Sequence, residues 1–240
     1  MRVFITGASG HLGSAVVPEL LSAGHEVVGL ARSDTSAAAI EKLGAQAHRG
    51  DLADLDVLRE EAAAADGVIH LAFRHDLMVN GDLAGAARTD LDALTALADG
   101  LAGSGKPLVG TGGTAMLVMG GIVGRPGTEH DTFPGGGYRI DAAVLYRLAL
   151  EKAPAGTRLH GAADEGVPFR QIATAIGDNL GLPVRSISPA EADEHFGFLG
   201  SFVQIDNPTS SALTRDLLGW TPTHPDLIAD LHEGHYFRTA

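Results

Sequence analysis

Along the first half of the chain, short apolar runs alternate with longer stretches in which apolar positions recur every three or four residues. The runs RVFIT (2–6), EVVGLA (26–31), AQAHR (45–49), GVIHLA (67–72) and KPLVGT (106–111) have the length and composition of strands. The stretches between them predict helices over 11–23, over 54–65 with Asp54 as its cap, and over 84–102 with Leu91, Leu94, Leu97 and Leu101 on one face. Five strands in βα order are the pattern of a parallel sheet covered by helices on both sides. The expected class is α/β, a doubly wound parallel sheet.

That pattern stops at 110–137, a window with ten glycines that ends in GRPGTEHDTFPGGG. A segment of this length without its own periodicity is more often functional than a plain connector. Helical spacing returns over 140–152 (IDAAVLYRLALEK). Beyond it the sequence predicts strands at TRLHGAA (157–163) and VRSIS (184–188), with helices at FRQIATAIGDNLG, PAEADEHF, SSALTRDLLG and PDLIADLHEG. We divide the chain into a dinucleotide-sized domain over 1–152 and a small, mainly helical C-terminal lobe over 153–240 that would shape a substrate site.

Composition narrows the function classes. The chain has 240 residues, is 45% hydrophobic and carries a formal charge of −13. That charge disfavours nucleic acid and anionic lipid, so the expected partner is a small molecule. No cysteine is present, which removes disulfides, thiolate metal sites and cysteine nucleophiles. No apolar run approaches the roughly 20 residues of a membrane span, and MRVFITG runs straight into a strand, so the reading is cytoplasmic with no membrane partner. His232 and His235 in HEGH lack a third ligand and do not form a metal motif, and no metal is expected.

The most specific local signal follows the first strand. Gly7, Gly10 and Gly13 stand at Gly-x-x-Gly-x-x-Gly spacing where a strand turns into a helix. Gly7 permits a tight turn, Gly10 lets backbone approach a pyrophosphate, and Gly13 lets helix and strand pack closely. At the tip of the second strand, where readers of NAD usually place an acid, the chain has Ala31, Arg32 and Ser33. Arg32 can pair with a ribose 2′-phosphate and Ser33 can add a hydrogen bond, so the expected cofactor is NADP(H), with NAD(H) second if Asp34 takes the ribose hydroxyl instead.

On these residues the sequence resembles the extended and atypical short-chain dehydrogenase/reductases, the NAD(P)-dependent epimerase/dehydratase-like group with a Rossmann-like fold. TGASGHLGS is similar to that family's glycine loop, RGDL to its Asp-Leu pair and IHLAF to its Leu-Ala segment. The resemblance implies that Ser9, His11 and Leu12 join the three glycines at the cofactor. It further implies that Asp51 and Leu52 flank adenine, that Leu71, Ala72 and Phe73 line the cofactor, and that the protein forms a homodimer. The later segments YRIDAAVLYRLALEK and LLGWTPTHPDLIADL also resemble the family's closing elements.

The family's chemistry uses a Tyr-x-x-x-Lys helix, and no tyrosine here has a lysine four residues later: Tyr138 precedes Ala142, Tyr146 precedes Leu150, and Tyr236 precedes Ala240. Tyr146 and Lys152 are six apart, a rotation of about 240° along a helix, so they lie on different faces and Tyr146 reads as core. By the resemblance, several dozen residues that carry the catalytic helix and a sixth strand are missing. The remaining candidates for chemistry are Thr111 and Thr114 at the end of the fifth strand and Tyr138, with His75, Asp76 and His130 as further loop donors. The favoured expectation is an oxidoreductase acting on a small carbonyl compound. A non-catalytic NADP(H) sensor, a non-redox isomerase or cyclase, and an inactive relative are the alternatives.

Overall fold

The structure, a computed structural model, describes residues 1–112, 128, 142–200 and 202–237. Thr114, His130 and Tyr138 lie outside the described residues. Five strands, β1 (Arg2–Thr6), β2 (Glu26–Ala31), β3 (Gln46–Arg49), β4 (Gly67–His70) and β5 (Leu108–Gly110), form one sheet in the order β3-β2-β1-β4-β5. All four pairings are parallel, with Val3 opposite both Val27 and Gly67. Val3 through Ile5 are fully buried, as expected for a central strand covered on both faces.

The helices α1 (Gly13–Ser22), α2 (Asp34–Lys42), α3 (Leu55–Ala64), α4 (His75–Val79) and α5 (Leu83–Leu101) connect these strands. Chain direction reverses across the sheet at β1, so right-handed crossovers place α1 and α2 on one face and α3 and α5 on the other. Two cores result. Val3, Ile5, Val16, Val17, Leu20 and Ile40 fill the first, and Phe4, Val28, Leu58, Val68 and Leu97 belong to the second.

Two local expectations need correction. Asp54 does not cap α3; its carboxylate turns back to accept the Asp51 N–H at 2.7 Å. Leu91 does not share the buried face of α5 and is 64% exposed, because that face is centred on Ala86, Ala93, Ala96 and Leu97. Small residues win there because α3 approaches closely: a Cβ on Gly100 would stand 2.4 Å from the Arg59 carbonyl oxygen.

The helix α6 (Ala142–Lys152) belongs to the same compact unit as Met1–Thr111. It lies on the α1 face, where Leu150 joins the first core and Tyr146 packs against it. Arg147 Nε donates to Glu19 of α1 at 2.7 Å, and Glu151 meets His25 Nε2 at 2.9 Å. A right-handed crossover leading outward from β5 would carry its helix on the opposite face, beside α5.

The second unit takes in the chain from Arg158 onward. It holds α7 (Phe169–Leu180), α8 (Pro189–Phe196), α9 (Ala212–Leu218) and α10 (Leu227–His232), with Trp220 buried and Arg215 5.7 Å from its ring. The segments 157–163 and 184–188, where strands were expected, form no strand among the described residues. Their polar groups are satisfied elsewhere: the His160 N–H donates to Thr214 Oγ1 at 2.8 Å, and Ser188 makes the capping box of α8 with Glu191. Among the described residues no helix is long and apolar enough to cross a membrane.

Gly100 gives a test whose sign is informative. Helix propensity alone predicts that Gly100→Ala stabilises α5 by about 1 kcal/mol. The contact with Arg59 predicts instead a loss of about 1–3 kcal/mol, read as a lower midpoint in chemical denaturation.

Candidate functional site at the carboxyl edge of the sheet

Because all five strands are parallel, the residues that follow them collect at one edge of the sheet. The loop 7–12 follows β1, Arg32 and Ser33 follow β2, and Asp51 and Leu52 come just after β3. Leu71, Ala72 and Phe73 follow β4, and Thr111 follows β5. The order of connections reverses between β1 and β4, and in open α/β sheets that reversal opens a crevice for ligands.

The loop after β1 is shaped by missing side chains. Gly7 sits at φ 75°, and a Cβ there would stand 2.8 Å from the Ala72 backbone nitrogen. A Cβ on Gly13 would stand 2.3 Å from the Gly7 carbonyl oxygen. The Gly10 N–H donates to Gly7 O at 2.9 Å and closes the turn. Ser9, Gly10 and His11 are exposed, and among the described residues the N–H groups of His11, Leu12 and Gly13 have no hydrogen-bond partner. Three free amides where a tight loop enters a helix suit an anionic group such as a pyrophosphate.

At the tips of β2 and β3 the charges are arranged in a group. Arg32 is exposed and makes no ion pair among the described residues. Ser33 caps α2, accepting the Ser36 N–H at 3.1 Å, so its hydroxyl is already engaged. Asp34 is fully exposed and lies 3.2 Å from Arg49 Nη1, and Arg49 is paired in register with Ala31. Asp51 Oδ1 accepts the Ala53 N–H at 3.1 Å, while Leu52 is buried against the second core.

A buried polar chain supports the segment after β4. His70 Nε2 is 3.1 Å from Asp90 Oδ1, and Nδ1 is 2.7 Å from Thr6 Oγ1. A carboxylate only accepts, so the neutral ring carries its proton on Nε2 and takes the Thr6 hydroxyl hydrogen on Nδ1. Thr6 Oγ1 in turn accepts the Ala72 N–H at 3.3 Å, and Thr6 O accepts the Leu71 N–H at 3.1 Å. Thr6 thereby holds Leu71 and Ala72 against Gly7. Periodicity gave no hint of this positioning role, since Asp90 and Thr6 are brought to His70 only by the sheet.

Thr111 is the one candidate for chemistry from the glycine-rich region that lies within the described residues. Its hydroxyl donates to His70 O at 3.0 Å and stands 2.6 Å from Tyr146 Oη. The Tyr146 ring packs against the first core, as its place on α6 predicts, yet its hydroxyl reaches the carboxyl end of β4 and β5. Sequence reasoning missed that reach because residues 111 and 146 share no motif. Burial pushes the Tyr146 phenol above its ordinary 10.0, and the hydrogen bond with Thr111 offsets part of the shift. Asp76 is not a proton donor at neutral pH: hydrogen bonds from the Arg74 guanidinium pull its carboxyl down to about 2. His75 stacks edge-on against Phe73, with ring centroids 5.3 Å apart. No group of three or more His, Asp or Glu among the described residues is arranged to hold a metal ion.

Residues 3–116 match the model of the NAD dependent epimerase/dehydratase family. The uncharacterized protein C2A9.02 of Schizosaccharomyces pombe is 38% identical over 298 aligned residues, covering 99% of this chain and 100% of the yeast protein. The uncharacterized protein YLL056C of Saccharomyces cerevisiae is 37% identical, covering 98% of this chain and 99% of its own length. An alignment of 298 positions against 240 residues leaves at least 58 (298 less 240) without a counterpart here. The fold is similar to that of Bordetella bronchiseptica WbmG, solved in complex with NAD and UDP. The TM-score is 0.71 at 15% identity, over 98% of this chain and 93% of the other.

The buried phenol makes a pH prediction. The folded state holds the Tyr146 proton more tightly than the unfolded state, so its contribution to stability is fully present below pH 10.0 and is lost as pH rises beyond it. Ultraviolet titration should show a late phenolate component, and Tyr146→Phe should remove it.

Proposed function

The chain belongs to the NAD dependent epimerase/dehydratase family, and from that premise we propose that it binds NADP(H) along the carboxyl edge of its sheet and reduces a small carbonyl compound. The observation that carries the reading is the loop 7–13, where no side chain would fit at Gly7 or Gly13 and where, among the described residues, the amides of His11, Leu12 and Gly13 have no hydrogen-bond partner. In this reading the amides of His11, Leu12 and Gly13 hold the diphosphate and Asp51 lies beside adenine. Leu71, Ala72 and Phe73 line the path toward the nicotinamide. The exposed, unpaired Arg32 takes the 2′-phosphate.

Bound NADPH supplies a hydride. The protein must supply a proton to the oxygen of the reduced carbonyl and must hold that oxygen in place. Tyr146 keeps its proton at neutral pH and sits beside Thr111 at the end of β5, so we assign Tyr146 as proton donor and Thr111, whose own hydrogen goes to His70 O, as the hydroxyl that holds the phenol in place. Among the described residues no ammonium accompanies this pair: Arg147 is engaged with Glu19 and Glu151, and Lys152 lies on another face of α6. We place the positions missing relative to the yeast protein between Thr111 and Ala142. The position of α6 on the α1 face supports this, since a helix of a crossover outward from β5 belongs on the other face.

That no cation partners Tyr146 among the described residues favours one second reading, an NADP(H) sensor that binds the cofactor without turning it over. Two measurements test these readings, the first the coenzyme assignment they share and the second the turnover that separates them. NADPH should bind at least about tenfold more tightly than NADH, and Arg32→Ala should erase that difference; equal affinities in both proteins would refute the 2′-phosphate assignment. Against a panel of aldehydes, ketones and imines, Tyr146→Phe should lower kcat by about a hundredfold or more with the NADPH Kd unchanged. Tight NADPH binding with no turnover of any panel member would support the sensor.

A further inference from the structure

Arg32, Asp34 and Arg49 stand at the tips of β2 and β3, and their arrangement suggests more than one cationic arm. Asp34 stands two residues beyond Arg32, close to where an NAD-binding protein places the carboxylate that accepts the ribose 2′-hydroxyl. Left alone, such an acid beside Arg32 would repel a 2′-phosphate and welcome the hydroxyl of NADH. It is not left alone: Arg49 Nη1 lies 3.2 Å from Asp34 Oδ1. Arg49 is the last residue of β3, opposite Ala31, and the Gly50 N–H donates to Ala31 O at 3.1 Å, so the backbone fixes the arginine beside the β2 tip.

We propose that Arg49 determines coenzyme preference by acting through Asp34. Its guanidinium neutralises the carboxylate and draws it toward β3, which leaves Arg32 as the uncompensated charge at the adenosine end of the crevice. Arg49 is therefore a positioning residue for specificity. The inference rests on the assignment of NADP(H) to this edge, and it adds a residue that neither the glycine loop nor the Asp51-Leu52 pair brings to notice.

The test is calorimetric titration of the full chain with NADPH and with NADH, at one ionic strength, for the unaltered protein, Arg49→Ala, Asp34→Asn and the double variant. Both positions are solvent-accessible, Asp34 fully and Arg49 about half, so the variants should keep the thermal midpoint of the parent. Arg49→Ala should cut the preference for NADPH over NADH by about tenfold, weakening NADPH while NADH holds or improves. Asp34→Asn should keep or widen the preference. The double variant should restore most of what Arg49→Ala loses, because the freed carboxylate is then absent.

An unchanged preference in Arg49→Ala overturns the proposal. So does a lost preference that Asp34→Asn fails to rescue, since Arg49 would then meet the phosphate itself. Binding of neither coenzyme by the unaltered protein would instead remove the assignment on which the inference rests.

Discussion

The carboxyl edge of the sheet depends on one steric constraint, that the turn between β1 and α1 passes so close to the backbone after β4 that no side chain fits. At Gly7 the missing Cβ would meet Ala72, and at Gly13 it would meet Gly7 itself. The loop can therefore turn tightly into α1, whose opening amides have no hydrogen-bond partner among the described residues. Thr6 holds the other wall, binding Leu71 and Ala72 through its carbonyl and hydroxyl. His70, fixed by Asp90, keeps the Thr6 hydroxyl oriented and passes its own carbonyl to Thr111. From that point the chain of contacts leads to the Tyr146 phenol on α6. A single series of close contacts thus connects the proposed phosphate site to the proposed proton donor.

Charge at this edge runs against the molecule's overall balance. A protein with a formal charge of −13 has no long-range attraction for a polyanionic cofactor, so affinity must come from short-range, oriented groups. Under the proposal the amides at 11–13 supply this at the diphosphate end, and Arg32, with Asp34 neutralised by Arg49, supplies it at the tips of β2 and β3. Two of the nearby acids are compensated locally, Asp34 by Arg49 and Asp76 by Arg74. That local pairing limits the negative charge these two acids bring to the edge.

Much of the fold was legible because it depends on local patterns. The five apolar runs became five strands within a residue or two of their expected limits, and the helices over 189–196 and 142–152 follow their apolar spacing. The failures share a cause. TRLHGAA and VRSIS have strand-like composition, but a strand needs a neighbour, and His160 and Ser188 spend their backbone groups on Thr214 and Glu191 instead. Leu91 has the right spacing but lies off a face set by how closely α3 approaches. In the site, the strained conformation at Gly7 and the crowding at Gly13 were readable from the glycine spacing. Thr6–His70–Asp90, Thr111–Tyr146 and Asp34–Arg49 were not, because each pair or triad is assembled by strand order and leaves no mark on residue spacing.

The central claim, that a dinucleotide lies against the amides opening α1 with its adenosine end at the tips of β2 and β3, is tested most directly by hydrogen exchange resolved to short peptides. On adding NADPH, amide protection should rise together at 7–13, 32–34, 49–52 and 70–73, with the distant face of α5 unchanged. No change at 7–13 under saturating NADPH, or protection confined to the chain beyond Arg158, would contradict the account.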